Sequence, residues 1–329
     1  MIELDFCGFK YNKLVNIKQE NDLADPTKIR KAISKNLLIP EEYKKIFFSD
    51  MNTGFYFIVV LIVASFKKIT KKPKVAVSRF DNPSYLDILK DLSERGFLDI
   101  QYLKTDINGD IDSKALQLDK DVCCLIVPYV NRLTGIYYDL KTIGEIAHGK
   151  HIPLISDFSR LFTFEKANQK NNFVDVLLVD MGVPNLSMIS INPDLISGFN
   201  LNKKELEINE AKPIDFFAGE ILYEILKIQN FSHKKFLIKK LKFVSYEDIV
   251  KNNSQEYTKP IIFGNVDNSP VVSILMPCKK KLKRYNFCDI NKSLFSELGV
   301  LEGWHKNILV LGLGKASKKE LVRLAKDIN

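Results

Sequence analysis

Four short, almost unbroken apolar runs constrain this chain more than any other feature: "KVAVS" at 74–78, "VCCLIVPYV" at 122–130, "IPLIS" at 152–156 and "DVLLV" at 175–179. A strand with one wet face alternates apolar and polar residues, so runs that lack the alternation are buried on both faces. Between them lie amphipathic stretches, "SYLDILKDLSERG" at 84–96 and "DLKTIGEIAHGK" at 139–150, which Gly96 and Gly149 are expected to end. This alternation from about residue 45 to 200 predicts an α/β fold: a mainly parallel sheet with helices on both faces. The longest apolar run, "FYFIVVLIVASF" at 55–66, has 12 residues. A membrane span needs ~20, so the run predicts a buried helix and no membrane partner.

Beyond "NPDLISGFNLNKKELEINEAKP" the pattern changes. A long helical stretch from about Ile214 to Phe243 leads to strands at "KPIIFGN" and "VVSILMP", a helix at 290–298, a last strand at "NILVLGLG" and a C-terminal helix capped by Ser317. The expected organisation is a large α/β domain over 40–215 and a smaller α+β domain built from 216–329 together with 1–39. No repeat or Pro/Ser-rich linker separates the two, so the long helix is expected to join them.

The net charge is +9, and residues 201–329 carry 23 Lys/Arg against 15 Asp/Glu, so the basic excess is C-terminal. Its densest pieces, "KKFLIKKLKF" (234–243) and "CKKKLKRYNF" (278–287), are solvated faces in the plain reading; an acidic protein or a nucleic acid backbone is the alternative partner. Five cysteines without a CxxC, two of them adjacent (Cys123, Cys124), fit a reducing compartment. The start "MIELDFCGFK" lacks the basic and apolar parts of an export signal. Both readings place the chain in the cytoplasm.

In open α/β sheets the chemistry gathers where strands end at their carboxyl side. "VNRLTGIYYDL" (130–140) puts Asn131 there, with Thr134 and Gly135 forming the turn into the next helix. "IPLISDFSR" puts Asp157 there, beside Arg160. At "FFSDMNTGFYF" (47–57) a helix begins, and Ser49, Asn52, Thr53 and nearby amides suit either a phosphate at the positive end of the helix dipole or ordinary capping. "GLGKAS" (312–317) lacks the third glycine and the βαβ context of a dinucleotide site. "SHKK" at 232 is read as an exposed basic turn.

These pieces, in this order, resemble the class V aminotransferases, and among them the NifS-like cysteine desulfurases, pyridoxal-phosphate (PLP) enzymes of fold type I. The similarity runs from about residue 20 to 329. It is anchored by "VNRLTGIYYDLKTIGEIAHGKHIPLISDFSR", with further likeness in "DINGDIDSKAL" (106–116) and "GLGKASKKELVRLAKDI". The resemblance implies a PLP-transferase fold with a seven-stranded type of sheet. It assigns Asp157 to the pyridine nitrogen, Asn131 to the ring's phenolic oxygen and Thr53 to the phosphate cup. Asn82, in "FDNPSY", falls where the family stacks a histidine on the ring, and Arg160 where a glutamine is usual.

The departures are larger. The small glycine-rich residues of the cup become Asp50, Met51 and Asn52. The strand "DVLLVDMGVPNLSMIS" (175–190) aligns Asp180 to Val183 with the turn that carries the family's Schiff-base lysine, and no lysine occurs between Lys170 and Lys203. The short "ELGVLEGWHKNILVLGLG" lacks the nucleophilic cysteine, and apolar "ILVLG" stands where an arginine for the substrate carboxylate is expected. The expectation is a degenerate desulfurase-like protein without catalytic residues, binding PLP non-covalently at most. It would be a homodimer, or a heterodimer with a related desulfurase, and would act as a binding or regulatory partner of that enzyme or of a sulfur-accepting protein. The alternatives are an active PLP enzyme using a lysine from elsewhere in the chain, and a nucleic-acid-binding module using the basic C-terminal lobe.

Overall fold

A computed structural model of the chain describes residues 26–67, 69–79, 81–106, 109–131, 135–159, 167–180, 187–199 and 201, with 244–245, 261–263, 271–275, 308–312, 322 and 325–326. Arg160, the "SHKK" turn, both dense basic segments, the helices expected at 214–243 and 290–298, and Ser317 lie outside the described residues.

Seven strands form one sheet: β1 (Lys44–Phe48), β2 (Lys74–Val77), β3 (Asp99–Tyr102), β4 (Val122–Ile126), β5 (Leu154–Asp157), β6 (Val176–Asp180) and β7 (Ser187–Ile191), in the order β1-β7-β6-β5-β4-β2-β3. β7 alone is antiparallel to its neighbours, with Asp180 opposite Ser187 on one side and Phe48 opposite Ser187 on the other. The remaining pairings are parallel. The strands β1, β2, β4, β5 and β6 therefore all end at the same edge. The four apolar runs hold the centre of this sheet, and their side chains alternate between two cores. Leu125, Leu154, Leu177 and Val179 enter one; Val75, Ile126, Ile155, Val176 and Leu178 enter the other.

The second core is covered by α2 (Met51–Phe66), α3 (Pro83–Glu94) and α5 (Pro193–Gly198). α2 is the long apolar run: Met51, Gly54, Phe55, Ile58, Val59, Ile62 and Val63 are buried along it. Among the described residues no helix is long and apolar enough to cross a membrane. In α3, Asn82 caps the start and Pro83 takes the first turn, where its missing N–H costs nothing. Tyr85, Leu86, Leu89 and Leu92 then recur at helical spacing on the buried face. Gly96 ends that helix at φ +70°, a conformation that favours glycine.

Helix α4 (Leu140–Gly149) ends at Gly149 as expected, and the left-handed residue that follows it is His151, at φ 59°. Gly135, at φ 71°, closes a turn onto Asn131, its N–H donating to the Asn131 carbonyl at 2.9 Å, but the chain then pairs Tyr137 with Val130 before α4 begins.

The described part of the N-terminal segment reaches the large sheet. Helix α1 (Pro26–Leu37) buries Ile33 and Leu37 in the first core, beside Phe47, Leu154 and Leu177. The Leu37 carbonyl accepts from the Asn168 N–H at 3.0 Å. An apolar face needs an apolar partner, and the large sheet supplies it.

Four further strands, β8 (Val244–Ser245), β9 (Ile261–Phe263), β10 (Val271–Leu275) and β11 (Ile308–Gly312), form a second sheet in the order β11-β10-β9-β8. Three of them occupy the apolar runs read as strands in the C-terminal part.

Candidate functional site

The carboxyl edge of the large sheet gathers most of the residues singled out in the sequence. Asp157 ends β5, half-buried. Its Oδ1 accepts from the Ser159 N–H at 2.8 Å, and its Oδ2 accepts from the Tyr85 hydroxyl at 3.1 Å. Tyr85 is buried on α3, and its ring stacks on Phe55 of α2 with centroids 4.1 Å apart and planes within 10°. One chain of contacts therefore ties the helices that carry Thr53 and Asn82 to the end of β5.

Asn131, beyond β4, is fully buried, and its Nδ2 donates to the Tyr138 hydroxyl at 2.9 Å. That hydroxyl donates in turn to the Gly109 carbonyl at 2.7 Å. Burial holds the Tyr138 phenol well above its ordinary value, with Asp81 and Asp110 adding to the rise and the hydrogen bonds of Asn131 and Ser78 opposing it. The phenol is neutral and acts as a hydrogen-bonding hub. The end of β4 thus also runs beside β5, with the Tyr129 N–H donating to the Asp157 carbonyl at 3.1 Å.

Asn82 does a structural task in this arrangement. It caps α3, its Oδ1 accepting from the Ser84 N–H at 3.2 Å, while its own N–H donates to Asp81 Oδ1 at 2.6 Å.

At the start of α2 the capping reading is the one observed, and the cap is Asp50. Its Oδ1 accepts from the Thr53 N–H at 2.9 Å, and its Oδ2 from the Thr53 hydroxyl at 2.7 Å and the Ser49 hydroxyl at 3.1 Å. Partial burial pushes the Asp50 carboxyl up, but these bonds, with one from the Asn52 amide, outweigh it and hold the group below its ordinary value. It is a carboxylate at neutral pH, resting on the positive end of the helix dipole.

Asp180, at the end of β6, accepts from the Ser187 hydroxyl at 3.2 Å across to β7, and its N–H donates to the Ser159 hydroxyl at 2.8 Å. The strand ends of β5 and β6 are therefore joined through Ser159. Among the described residues no group of three or more His, Cys, Asp or Glu side chains could hold a metal ion. An open groove of about 790 Å³ lies elsewhere, between β3 and the short 3-10 turn Ser113–Ala115. Its carboxylates Asp106, Asp110 and Asp112 accept from backbone amides of their own loop.

Sequence reading thus located the edge and missed Asp50, Tyr85 and Tyr138 as its working side chains. Asp50 had a signal, an acidic residue three positions before Thr53 at a helix start. Tyr85 had none, because at its spacing it reads as a core residue. As a seat for a phosphorylated pyridine the arrangement fits at one end. A carboxylate and a buried amide stand at the ends of β5 and β4, where the ring would be held. The phosphate end does not fit, because the Asp50 carboxylate already occupies the Ser49, Asn52 and Thr53 donors there and brings a like charge.

Comparison with known proteins agrees with this architecture. The family described as "Aminotransferase class-V" matches residues 21–179. Cysteine desulfurase IscS of Shewanella amazonensis is 29% identical over 118 residues, which are 35% of this chain and 28% of that protein. The IscS of Salmonella arizonae is 33% identical over 85 residues, 25% of this chain and 21% of the relative. The chain therefore matches under a third of the length of these relatives.

In three dimensions the likeness is wider. A NifS-like protein from Rickettsia africae superposes with a TM-score of 0.67 at 16% identity, covering 92% of this chain and 86% of that one. The cysteine desulfurase CsdA of Escherichia coli gives 0.65 at 12% identity, covering 95% and 86%. At such identities the likeness establishes the fold: that of the NifS-like proteins, PLP fold type I. The sequence match over residues 21–179 and the shared architecture thus make the chain similar to the class V aminotransferases and, among them, to the cysteine desulfurases.

Proposed function

We propose that this chain is a desulfurase-like protein that has lost lysine-based PLP chemistry and serves as a binding or regulatory partner, of an active desulfurase or of a sulfur-accepting protein. One observation carries the reading: no lysine lies between Lys170 and Lys203, and β6 ends instead in Asp180, bonded to Ser187. The lysine of such enzymes is both covalent anchor and proton carrier, so its loss removes a step of the reaction. The lack of a cysteine in 297–314 supports the same reading, since desulfuration needs a thiolate. On this reading Asp157 and Asn131 are inherited positions that keep a structural use, and PLP is held non-covalently at most. The partner surface belongs to a homodimer, or to a heterodimer with a related desulfurase. The large domain spans 40–215 and the small one 1–39 with 216–329, α1 also packing on the large sheet.

The test is to incubate the purified protein with PLP, reduce with borohydride and map the labelled peptides, with cysteine-dependent sulfide release assayed in parallel. No single lysine labelled to stoichiometry and no sulfide release is the expected result. A unique labelled lysine accompanied by turnover overturns the proposal in favour of an active enzyme.

A further inference from the structure

We infer that Asp50 closes the N-terminus of α2 to phosphate, so that the chain's own carboxylate occupies the place where this fold would hold an anion. The first helical turn has few donors to offer, and Asp50 takes those of Asn52 and Thr53. Its carboxylate accepts from the Thr53 N–H, the Thr53 hydroxyl and the Ser49 hydroxyl, and from the Asn52 N–H. Its backbone carbonyl accepts from the Gly54 N–H at 3.3 Å. Helix N-termini attract anions because these donors are otherwise unpaired and the dipole is positive there. Here the Asp50 carboxylate already draws on both attractions. Asp50 sits in the extended conformation of an N-cap, at φ −152° and ψ 163°, so its carboxylate folds back over the turn. The next residue, Met51, is buried in the core below. A phosphate at this turn would meet a like charge and would have to displace a cap that is itself worth keeping.

This inference rests on the reading that the chain has left PLP chemistry, and it adds a cause independent of the missing lysine. It predicts that the site discriminates against the phosphate group and not against the pyridine ring.

The experiment compares the wild-type chain with Asp50→Asn and Asp50→Ser. Each is titrated by calorimetry with inorganic phosphate, and by absorbance with pyridoxal phosphate and with unphosphorylated pyridoxal. Asn and Ser both cap helices well, so α2 is retained while the charge is removed; circular dichroism and thermal melting verify this. The wild type should bind pyridoxal phosphate no more tightly than pyridoxal and should ignore inorganic phosphate. Both variants should gain preference for the phosphorylated form by at least about tenfold, the least expected from removing one adjacent like charge near a protein surface. A wild type that already prefers the phosphorylated form overturns the inference, and so do folded variants that gain nothing. The two readings fail separately: a catalytic lysine adduct in the wild type removes the proposed function, whereas variants indifferent to phosphate remove only the role of Asp50.

Discussion

Tyr85 shows how much one side chain can join at this edge. Its ring lies against Phe55 and its hydroxyl reaches Asp157, so it links α2, α3 and β5 with one apolar contact and one polar contact. The two parts separate by mutation. Tyr85→Phe keeps the stack and removes a donor from a half-buried carboxylate, which should cost about 1–2 kcal/mol in urea unfolding. Tyr85→Leu also loses the aromatic pair and should cost roughly 0.5–1.5 kcal/mol more. If Phe and Leu are equally tolerated, Tyr85 is a plain core residue. The same residue explains the limit of reading this site from sequence. Asp157 and Asn131 were legible because buried strands run directly into them. Tyr85 was not, because its periodicity announces only burial, and the partner of its hydroxyl lies 72 positions away in the chain. Asp50 lies between these cases: its pattern with Thr53 was visible, but which side chain held the cap depended on geometry.

At the scale of elements, β4 was legible as a buried strand, while its interior was not. Lys74 pairs with Val122 but Val75 pairs with Cys124, so Cys123 is the extra residue of a bulge. Strict alternation would send adjacent cysteines to opposite faces; the bulge brings both into the same core, fully buried. A hydrogen bond with Cys123, together with burial, pushes the Cys124 thiol well above its ordinary value, so little nucleophilic thiolate forms. Neither residue should react with a thiol reagent in the native protein; mass mapping should find both labelled only after denaturation. In α4 the limit is space. A Cβ on Gly144 would lie 2.5 Å from the Cβ of Phe173 and 3.0 Å from the Asn172 carbonyl oxygen. Phe173 has little freedom to retreat, being at φ 54°. Gly144→Ala should therefore cost about 1–3 kcal/mol in spite of alanine's better helix propensity. An unchanged or raised unfolding midpoint would show that the loop yields.

For the whole molecule, the edge opposite the candidate site carries its own fastening, and it depends on pH. Asp175, just before β6, accepts from the Leu154 N–H at 2.9 Å and the Asn192 side-chain amide at 3.2 Å, and lies 2.8 Å from His148 Nε2. It thereby joins α4, the start of β5 and the turn that leads from β7 into α5. The hydrogen bond to Asp175 raises the His148 pKa, with burial opposing it. Tyr43, pushed up to about 12 chiefly by burial and then by Asp175, stays neutral through the physiological range. A histidine whose folded pKa exceeds its unfolded value stabilises fully below the unfolded value, about 6.5, and loses that contribution as pH rises through the folded value. The stability gap between wild type and His148→Gln should thus be fully present below about pH 6.5 and narrow as pH rises above it. The imidazole is 36% exposed, which screens the pair and keeps the effect small. Because the pair is remote from Asp50, Tyr85 and Asp157 in the sheet, the phosphate preference of the Asp50 variants should be the same with Gln at 148. Denaturant midpoints measured for both proteins across this range decide the matter: a gap that stays constant or widens with pH means that His148 is held neutral and that Asp175 acts through its amide partners alone.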